Sequence, residues 1–187
     1  MKKILALGAS NSRNSINQKL AKFAASEIQH SKVELLDLNE FEMPLFSIDR
    51  EMESGIPDQA KKFKKLIQSS DGIIISFAEH NGSYSAAFKN LFDWASRISR
   101  SMWEEKPMFL LATSPGGRGG RKVLEIAVND FPHRGGKVVS TFSLPSFYQN
   151  FSEEKGIIDS VLKTDFNIQI QIFDENINRV ENSINVT

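Results

Sequence analysis

Polar side chains crowd one short stretch near the start of the sequence. Residues 10–17 read SNSRNSIN and follow an apolar run that is typical of a strand. Hydroxyl and amide groups at the start of a helix, together with helix N–H groups that lack an acceptor, form a receptor for phosphate. The alternative is ordinary helix capping by Ser15 or Asn14, for which one side chain suffices. The stretch has more polar side chains than a cap needs, so we favour an anion site.

Two further polar loops follow apolar runs. Residues 79–83, EHNGS, come after the run IIISF, and residues 113–120, TSPGGRGG, come after MFLLA. Loops at the carboxyl ends of parallel strands line the ligand crevice of an open α/β sheet, so we expect the three loops to meet. The P-loop pattern GxxxxGK[ST] is absent, and the glycine-rich loop fails the pattern GxGxxG because Lys122 stands where the third glycine should be. The loops therefore do not indicate ATP, GTP or a dinucleotide-binding fold.

Alternating strand and helix patterns position these loops. Strands are predicted at residues 3–8, 33–38, 73–77, 108–112 and 137–142. Helical patterns separate them, one with Pro57 in its first turn, and residues 41–46 have no clear period. The order predicts an α/β fold, a three-layer doubly wound five-stranded parallel sheet with right-handed crossovers. A last long helix follows residue 157, in a pattern that allows a break at residues 164–165, and residues 182–187 are expected to fray.

Composition limits the classes to which the protein can belong. A length of 187 residues fits one domain with a full core, so we expect a single domain over residues 1–187. The 23 basic and 23 acidic residues balance, which gives no reason to expect a nucleic-acid or membrane partner. Cysteine is absent, which excludes disulfides, thiolate metal sites and thiol catalysis and agrees with a cytoplasmic location. The apolar run after the first two lysines is too short for a secretory signal, and we expect no metal site.

The three loops resemble those of a known family. The segments GAS (8–10) with SIN (15–17), EHNGSY (79–84) with KN (89–90) and DW (93–94), and SPGG (114–117) with GG (119–120) are similar to the flavin loops of the NAD(P)H-dependent FMN reductases. The resemblance extends from the first strand to the fifth, and the middle motif is its specific part. It implies a flavodoxin-like fold with sheet order 2-1-3-4-5, non-covalently bound FMN, NADPH or NADH as co-substrate, and a homodimer or tetramer.

The resemblance also implies roles for individual residues. It assigns the FMN phosphate to Ser10, Ser12, Ser15 and Asn17, with Arg13 close by. It places the isoalloxazine ring against Glu79, His80, Asn81 and Gly82 and, at its other edge, against Ser114, Gly116, Gly117 and Gly119. The chain departs from the family twice. Ser12 stands where many members have arginine, so N–H and O–H donors are expected to meet most of the phosphate charge, and His80 stands where many have a stacking tyrosine.

Three functions fit these observations. The leading one is an enzyme that passes hydride from a reduced nicotinamide through bound FMN to a small acceptor, such as a quinone, azo compound, metal ion or flavin. The flavin would carry the chemistry, so no catalytic side chain is assigned. A flavodoxin-like single-electron carrier is the second, although such carriers are commonly acidic and this chain has no net charge. A structural or regulatory member of the fold without flavin is the third.

The helix expected over residues 85–98 suggests self-association. Its large aromatic residues Phe88, Phe92 and Trp94 do not fall on one narrow stripe, so we expect one side to be exposed in a monomer. A two-fold partner that presents the same helix would cover that side. The alternative is that all three side chains reach the core of one subunit.

Overall fold

A five-stranded parallel sheet forms the centre of the structure, a computed structural model that describes residues 1–182. Its strands are β1 (Lys2–Ala9), β2 (Ser31–Leu36), β3 (Gly72–Phe77), β4 (Lys106–Thr113) and β5 (Gly136–Leu144). Their order is β2-β1-β3-β4-β5, and every neighbouring pair is parallel. The predicted fold class and strand order are therefore confirmed. Observed strand ends lie within two residues of the predicted ones, with β2 beginning and ending two residues earlier.

Helices cover both faces of this sheet. They are α1 (Ile16–Ser26), α2 (Ile48–Ser54), α3 (Asp58–Ser69), α4 (Ala86–Ser96), α5 (Arg121–Asp130), α6 (Phe147–Asn150) and α7 (Ser160–Asn182). Side chains of α1 and α7 pack on one face, and those of α3, α4 and α5 pack on the other. Because successive residues of a strand point to opposite faces, Ile4 of β1 joins the first core and Leu5 the second. Burial on both faces accounts for the continuous apolar runs of β1, β3 and β4.

Several short elements were not predicted. Helix α2 contains no buried residue, so it lacks the apolar periodicity that would reveal it, and its N-cap is Ser47. The middle polar loop is a hairpin of two-residue strands, Glu79–His80 and Ser83–Tyr84. A second small hairpin joins Phe151–Ser152 to Gly156–Ile157. Pro57 precedes α3 as its N-cap residue and does not lie in its first turn.

The long C-terminal helix is continuous, and the break that the pattern allowed at residues 164–165 does not occur. Thr164 donates its hydroxyl hydrogen to the Ser160 carbonyl one turn earlier, at 2.8 Å, which satisfies that side chain within the helix. Phe166 and Phe173, after the segment, are buried against the sheet, and Leu162, before it, packs against the same core, so contacts stabilise the helix on both sides. Of the tail expected to fray, residue 182 ends α7, and residues 183–187 lie outside the described residues.

Helix α4 has no exposed aromatic side, so the argument for self-association from this helix is wrong. Phe88, Phe92 and Trp94 are 0%, 4% and 1% exposed. The segment that follows β2 covers the second side of the helix: Trp94 donates its indole N–H to the Pro44 carbonyl at 2.7 Å and packs edge-on against Phe46 at 5.0 Å. The irregular stretch at residues 41–46 thus covers this side of α4. The periodicity of the sequence could not predict that contact.

Candidate functional site

A cleft of about 250 Å³ opens at the carboxyl ends of β1, β3 and β4. The three predicted loops and the turn after β5 line it, with residues Ser10, Ser12, Asn14, Ser15, Ile16, Asn17, Ala78, Glu79, His80, Thr113, Ser114, Pro115 and Tyr148. Three larger depressions on the described chain, of about 440, 560 and 420 Å³, contain none of the predicted site residues. The expectation that the loops meet at one edge of the sheet is thus met by the geometry.

A close approach between β1 and α1 fixes the first loop. A Cβ atom on Gly8 would lie 2.4 Å from the backbone nitrogen of Gln18, so only glycine fits there. The Gly8 N–H donates to Oε1 of Gln18 at 2.6 Å, and Nε2 of Gln18 donates to the Leu36 carbonyl at 3.0 Å. Gln18 therefore ties the helix start to β1 and to the end of β2, a role that the sequence did not reveal.

Two serine hydroxyls of the first loop are oriented by the bonds they accept. Ser10 Oγ accepts the Ser12 N–H at 3.2 Å, and Ser15 Oγ, at the N-cap of α1, accepts the Gln18 N–H at 3.1 Å. Among the described residues, neither hydroxyl donates its own hydrogen to a protein acceptor. Both serines are over 90% buried at the cleft wall. Each therefore retains one hydrogen to donate to a ligand, so capping and anion binding are compatible.

Asn17 lines the cleft and also links elements of the sheet. Its Oδ1 accepts both the Ser76 hydroxyl at 2.7 Å and the Thr113 N–H at 3.1 Å, while Nδ2 donates to the Thr113 carbonyl at 3.1 Å. The side chain is 3% exposed and bridges α1 to β3 and β4. Asn17 thus holds the ends of β3 and β4 to the start of α1, and only its second amide hydrogen remains for a phosphate.

The middle loop turns tightly at Asn81 and Gly82. Their φ angles of +53° and +75° are those of a two-residue hairpin turn, for which Asn-Gly is the favoured pair. A Cβ on Gly82 would lie 3.0 Å from Cδ of Lys122, so the lysine side chain lies across the turn. These two residues shape the hairpin but do not line the cleft, whereas His80 does, from an exposed position.

Glu79 connects the middle loop to helix α5. The N-cap residue of that helix is Gly120, which has no side chain to satisfy the first N–H groups. Glu79 Oε2 accepts the Val123 N–H at 3.2 Å instead. The carboxylate therefore caps α5 from the neighbouring loop, and its negative charge lies at the positive end of the helix dipole.

The glycines of the third loop are of two kinds. Gly119 has φ of +60°, and a Cβ there would lie 2.9 Å from the backbone nitrogen of Pro145, so the fold itself requires glycine. A Cβ on Gly116 or Gly117 would meet no atom within 4 Å. Ser114 donates its hydroxyl hydrogen to the Gly116 carbonyl at 3.1 Å, which leaves its oxygen as an acceptor only. The open space over Gly116 and Gly117 leaves their backbone accessible to a ligand.

The structure brings together some of the predicted site residues and not others. The cleft is lined by Ser10, Ser12, Ser15, Asn17, Glu79, His80 and Ser114 and not by Arg13, Asn81, Gly82, Gly116, Gly117 or Gly119. Tyr148 is a lining residue that the sequence analysis missed. Its signal was topological, because it follows the end of β5 as the other loops follow the ends of their strands.

Neither a group of metal-binding side chains nor a helix that could cross a membrane is found over residues 1–182. In that part of the chain, His, Asp and Glu side chains form no group of three that could hold a metal ion. No described helix has the length and apolar composition required to cross a membrane.

Comparison with known proteins identifies relatives of the whole sheet. Residues 2–149 match the sequence model of the NADPH-dependent FMN reductases. The chain is 29% identical over 168 residues to an NADPH:quinone oxidoreductase of Arabidopsis thaliana, covering 86% of this chain and 84% of that one. It is 35% identical over 109 residues to a quinone reductase of Pseudomonas putida, covering 58% of each.

A solved structure has the same fold. The flavoenzyme NAD(P)H:(acceptor) oxidoreductase FerB from Paracoccus denitrificans superposes with a TM-score of 0.76 at 23% identity, over 96% of this chain and 98% of that one. The superposition extends beyond β5 to most of the chain, including the part that the family match leaves out.

Proposed function

Because this chain belongs to the NADPH-dependent FMN reductase family, whose sequence model matches residues 2–149, we propose that it is an FMN-dependent oxidoreductase. It takes hydride from NADPH or NADH and passes the electrons to a small acceptor. The observation that carries the proposal is the cleft at the start of α1, where three loops meet and two buried serines retain hydrogens to donate. The family match and this cleft favour the enzyme over a single-electron carrier or a flavin-free protein.

The donors in the cleft fit the phosphate end of FMN. The first N–H groups of α1 lack partners within the helix and, with the helix dipole, favour an anion. Ser10, Ser12 and Ser15 supply hydroxyl groups, and Asn14 supplies an amide. Arg13 is exposed and does not line the cleft, so we propose that it contributes long-range attraction and makes no direct contact. Neutral donors then carry most of the phosphate binding.

The third loop fits the flavin ring. No atom of the described chain occupies the space where a side chain on Gly116 or Gly117 would lie, and neither residue has a positive φ. The fold alone therefore does not require glycine at these positions. A flat ring that approaches the backbone closely does require it, because a side chain would be in the way. The cleft is smaller than most pockets that enclose a ligand of this size, so part of the cofactor would extend over this loop.

When bound, FMN supplies the redox chemistry between the reduced nicotinamide and the acceptor. The protein binds the phosphate end through the first loop and presents the backbone of the second and third loops to the ring. Asn17 and Gln18 hold the strand ends in place, so the loops are preorganised. His80 occupies the cleft wall where many relatives have tyrosine, and we propose that it contacts the ring.

We propose a quinone as the acceptor, because the Arabidopsis and Pseudomonas relatives are named for quinone reduction. The chain spans 58% of the Pseudomonas relative, so the acceptor comes by analogy. Arg118 and Arg121 extend from the third loop and the start of α5 and are exposed, which suits the phosphates of NADPH. The cytoplasm, where reduced nicotinamides are available, is the proposed location, and cell fractionation tests it.

A homodimer is proposed on a surface other than α4. Leu45, Ile48 and Met52 are 67%, 65% and 81% exposed, on α2 and the segment before it, and we call these three residues the α2 patch. The ion pair between Arg97 and Glu51, at 2.9 Å, fixes α2 against α4. An exposed cluster of large apolar side chains on a fixed helix marks a protein interface, and two-fold pairing is its commonest form.

Reconstitution tests the proposed function. The protein, stripped of any flavin, is titrated with FMN and with riboflavin, and the complex is then assayed for NADPH oxidation with a benzoquinone or an azo dye. We expect FMN to bind more tightly than riboflavin, because only FMN carries the phosphate, and we expect the benzoquinone to be reduced. A protein that binds neither flavin would reject the proposal.

A further inference from the structure

Tyr148 is an exposed tyrosine at the wall of the cleft, and it belongs to none of the three loop motifs found in the sequence. Its side chain is 73% exposed and lines the cleft together with the serines of the first loop. In the described residues, no protein group bonds to its hydroxyl. On the basis of the proposed function, we propose that Tyr148 binds the cofactor phosphate by donating its phenol hydrogen, a contact that compensates for Ser12 at the position where many members of the family have arginine.

The backbone of Tyr148 is anchored to the third loop. The turn before α6 donates two N–H groups to that loop, from Ser146 to the Gly116 carbonyl at 3.0 Å and from Phe147 to the Ser114 carbonyl at 3.1 Å. Asn150 Nδ2 closes the turn on the Pro145 carbonyl at 2.9 Å. The position is therefore fixed before any ligand binds, which lowers the entropy cost of a contact.

The neighbouring ring limits how the side chain can move. Phe147 is 4% exposed and stacks on Phe151, with ring centroids 4.8 Å apart. Tyr148 packs edge-on against Phe147, with centroids 5.6 Å apart and an angle of 86° between the planes. One side of the phenol ring thus rests on a core residue, and its exposed part borders the cleft.

The charge of the cleft wall explains why a phenol is useful there. No lysine or arginine lines the cleft, and its one carboxylate, Glu79, is bonded to the Val123 N–H of α5. His80, which also lines the cleft and can carry a charge, is assigned to the ring, so the phosphate is left with hydroxyl, amide and helix N–H donors. A phenol is more acidic than the hydroxyl of serine, so its hydrogen makes a stronger bond to an anion.

The test compares the binding of two flavins by apoprotein variants. Tyr148→Phe keeps the ring and removes only the hydroxyl. Tyr84→Phe is the matched control, since the chain has two tyrosines and Tyr84 is buried away from the cleft. Dissociation constants for FMN and for riboflavin are measured by flavin fluorescence titration, and inorganic phosphate is added as a competitor.

We expect Tyr148→Phe to weaken FMN binding roughly tenfold, because the variant loses one hydrogen bond to a charged group. Riboflavin binding should stay unchanged. Phosphate should also compete less well in this variant, and Tyr84→Phe should match the wild type. Unchanged FMN binding by Tyr148→Phe, in a wild type that binds FMN, would overturn this inference alone. An equal loss for riboflavin would overturn it too, because the contact would then not involve the phosphate. A wild type that binds no FMN would overturn the proposed function together with this inference.

Discussion

At the scale of single residues, the direction of each hydroxyl hydrogen separates the serines of the site into two groups. Ser76 and Ser85 donate inward, to Asn17 and to the Ala9 carbonyl, and so stabilise the strand ends. Ser10 and Ser15 accept backbone N–H groups and keep their hydrogens for a ligand. The sequence showed that hydroxyls were dense in the first loop, but only the hydrogen bonds show which of them remain available.

Ser15→Ala should weaken FMN binding by roughly tenfold or more, because a hydrogen bond to a charged group contributes about 1.5–3 kcal/mol and each decade is about 1.4 kcal/mol. Riboflavin should bind as it does to the wild type. Ser47→Ala removes the equivalent N-cap side chain from α2, at a residue that does not line the cleft, and controls for the loss of a cap. Isothermal titration of the two flavins measures the difference, and an FMN constant that neither Ser15→Ala nor Ser10→Ala changes would contradict the phosphate assignment.

Tyr84 should make the fold sensitive to alkali. Burial of the phenol, with a smaller contribution from Asp130, raises the pKa of Tyr84 well above its usual range, and the hydroxyl has no partner in the described structure. The folded state therefore favours the neutral phenol, and stability present below the unfolded-state pKa of about 10 is lost as the pH rises beyond it.

Tyr84→Phe should remove the part of the stability loss at alkaline pH that comes from this residue, because no phenol remains to ionise. It should not lower stability at neutral pH, since the deleted hydroxyl makes no bond. Urea unfolding between neutral and strongly alkaline pH measures both effects, with Tyr148→Phe as the control at an exposed tyrosine. The same alkaline loss in Tyr84→Phe as in the wild type would show that another group is responsible.

At the scale of elements, the sequence predicted the parts that periodicity and topology determine. The five predicted strands are present in the structure. The three polar loops lie together because parallel strands end at one edge of the sheet. Periodicity could not predict α2, which has no buried face, or the role of Asn17, whose partners on β3 and β4 are distant in sequence. The Asn81-Gly82 pair is typical of a hairpin turn, a signal that the sequence analysis did not use, and both residues have the positive φ angles of such a turn.

Glu79→Ala should lower the free energy of unfolding by about 1 kcal/mol, the usual effect of losing a helix cap, because α5 begins at a glycine and depends on this carboxylate. Glu79→Gln keeps an oxygen that can accept the Val123 N–H and should lose less. Glu125→Ala, an exposed position on the same helix, controls for the change of composition. Equal losses for the alanine and glutamine variants in chemical unfolding would mean that the cap is not what stabilises α5.

At the scale of the whole molecule, the sheet separates two cores, and the α2 patch remains uncovered. The aromatic residues of α4 belong to the core of a single subunit, which removes the reason for a dimer through that helix. The α2 patch provides another reason, and a partner on it would lie beside Asn11 of the first loop, because a small cleft is lined by Asn11 and Leu45 together.

The wild type should therefore sediment at twice the subunit mass of 21.0 kDa at micromolar concentration. The double variant Ile48→Lys and Met52→Lys should sediment as a monomer, because two buried charges at an interface are costly. Val161→Lys replaces an equally exposed apolar residue on α7 and should remain a dimer. A wild type that sediments at 21.0 kDa would contradict the dimer, and a dimeric double variant would place the interface elsewhere.

We expect one FMN site to serve both the reduced nicotinamide and the acceptor. The three loops meet at one edge of the sheet, so the nicotinamide and the acceptor would approach the same cleft. The most direct measurement is rapid mixing of the FMN-loaded protein with NADPH under nitrogen, followed by a second mixing with a benzoquinone. The account predicts that the yellow absorbance bleaches with NADPH alone and returns in full with the benzoquinone. A yellow complex that NADPH bleaches only when the quinone is already present would contradict it.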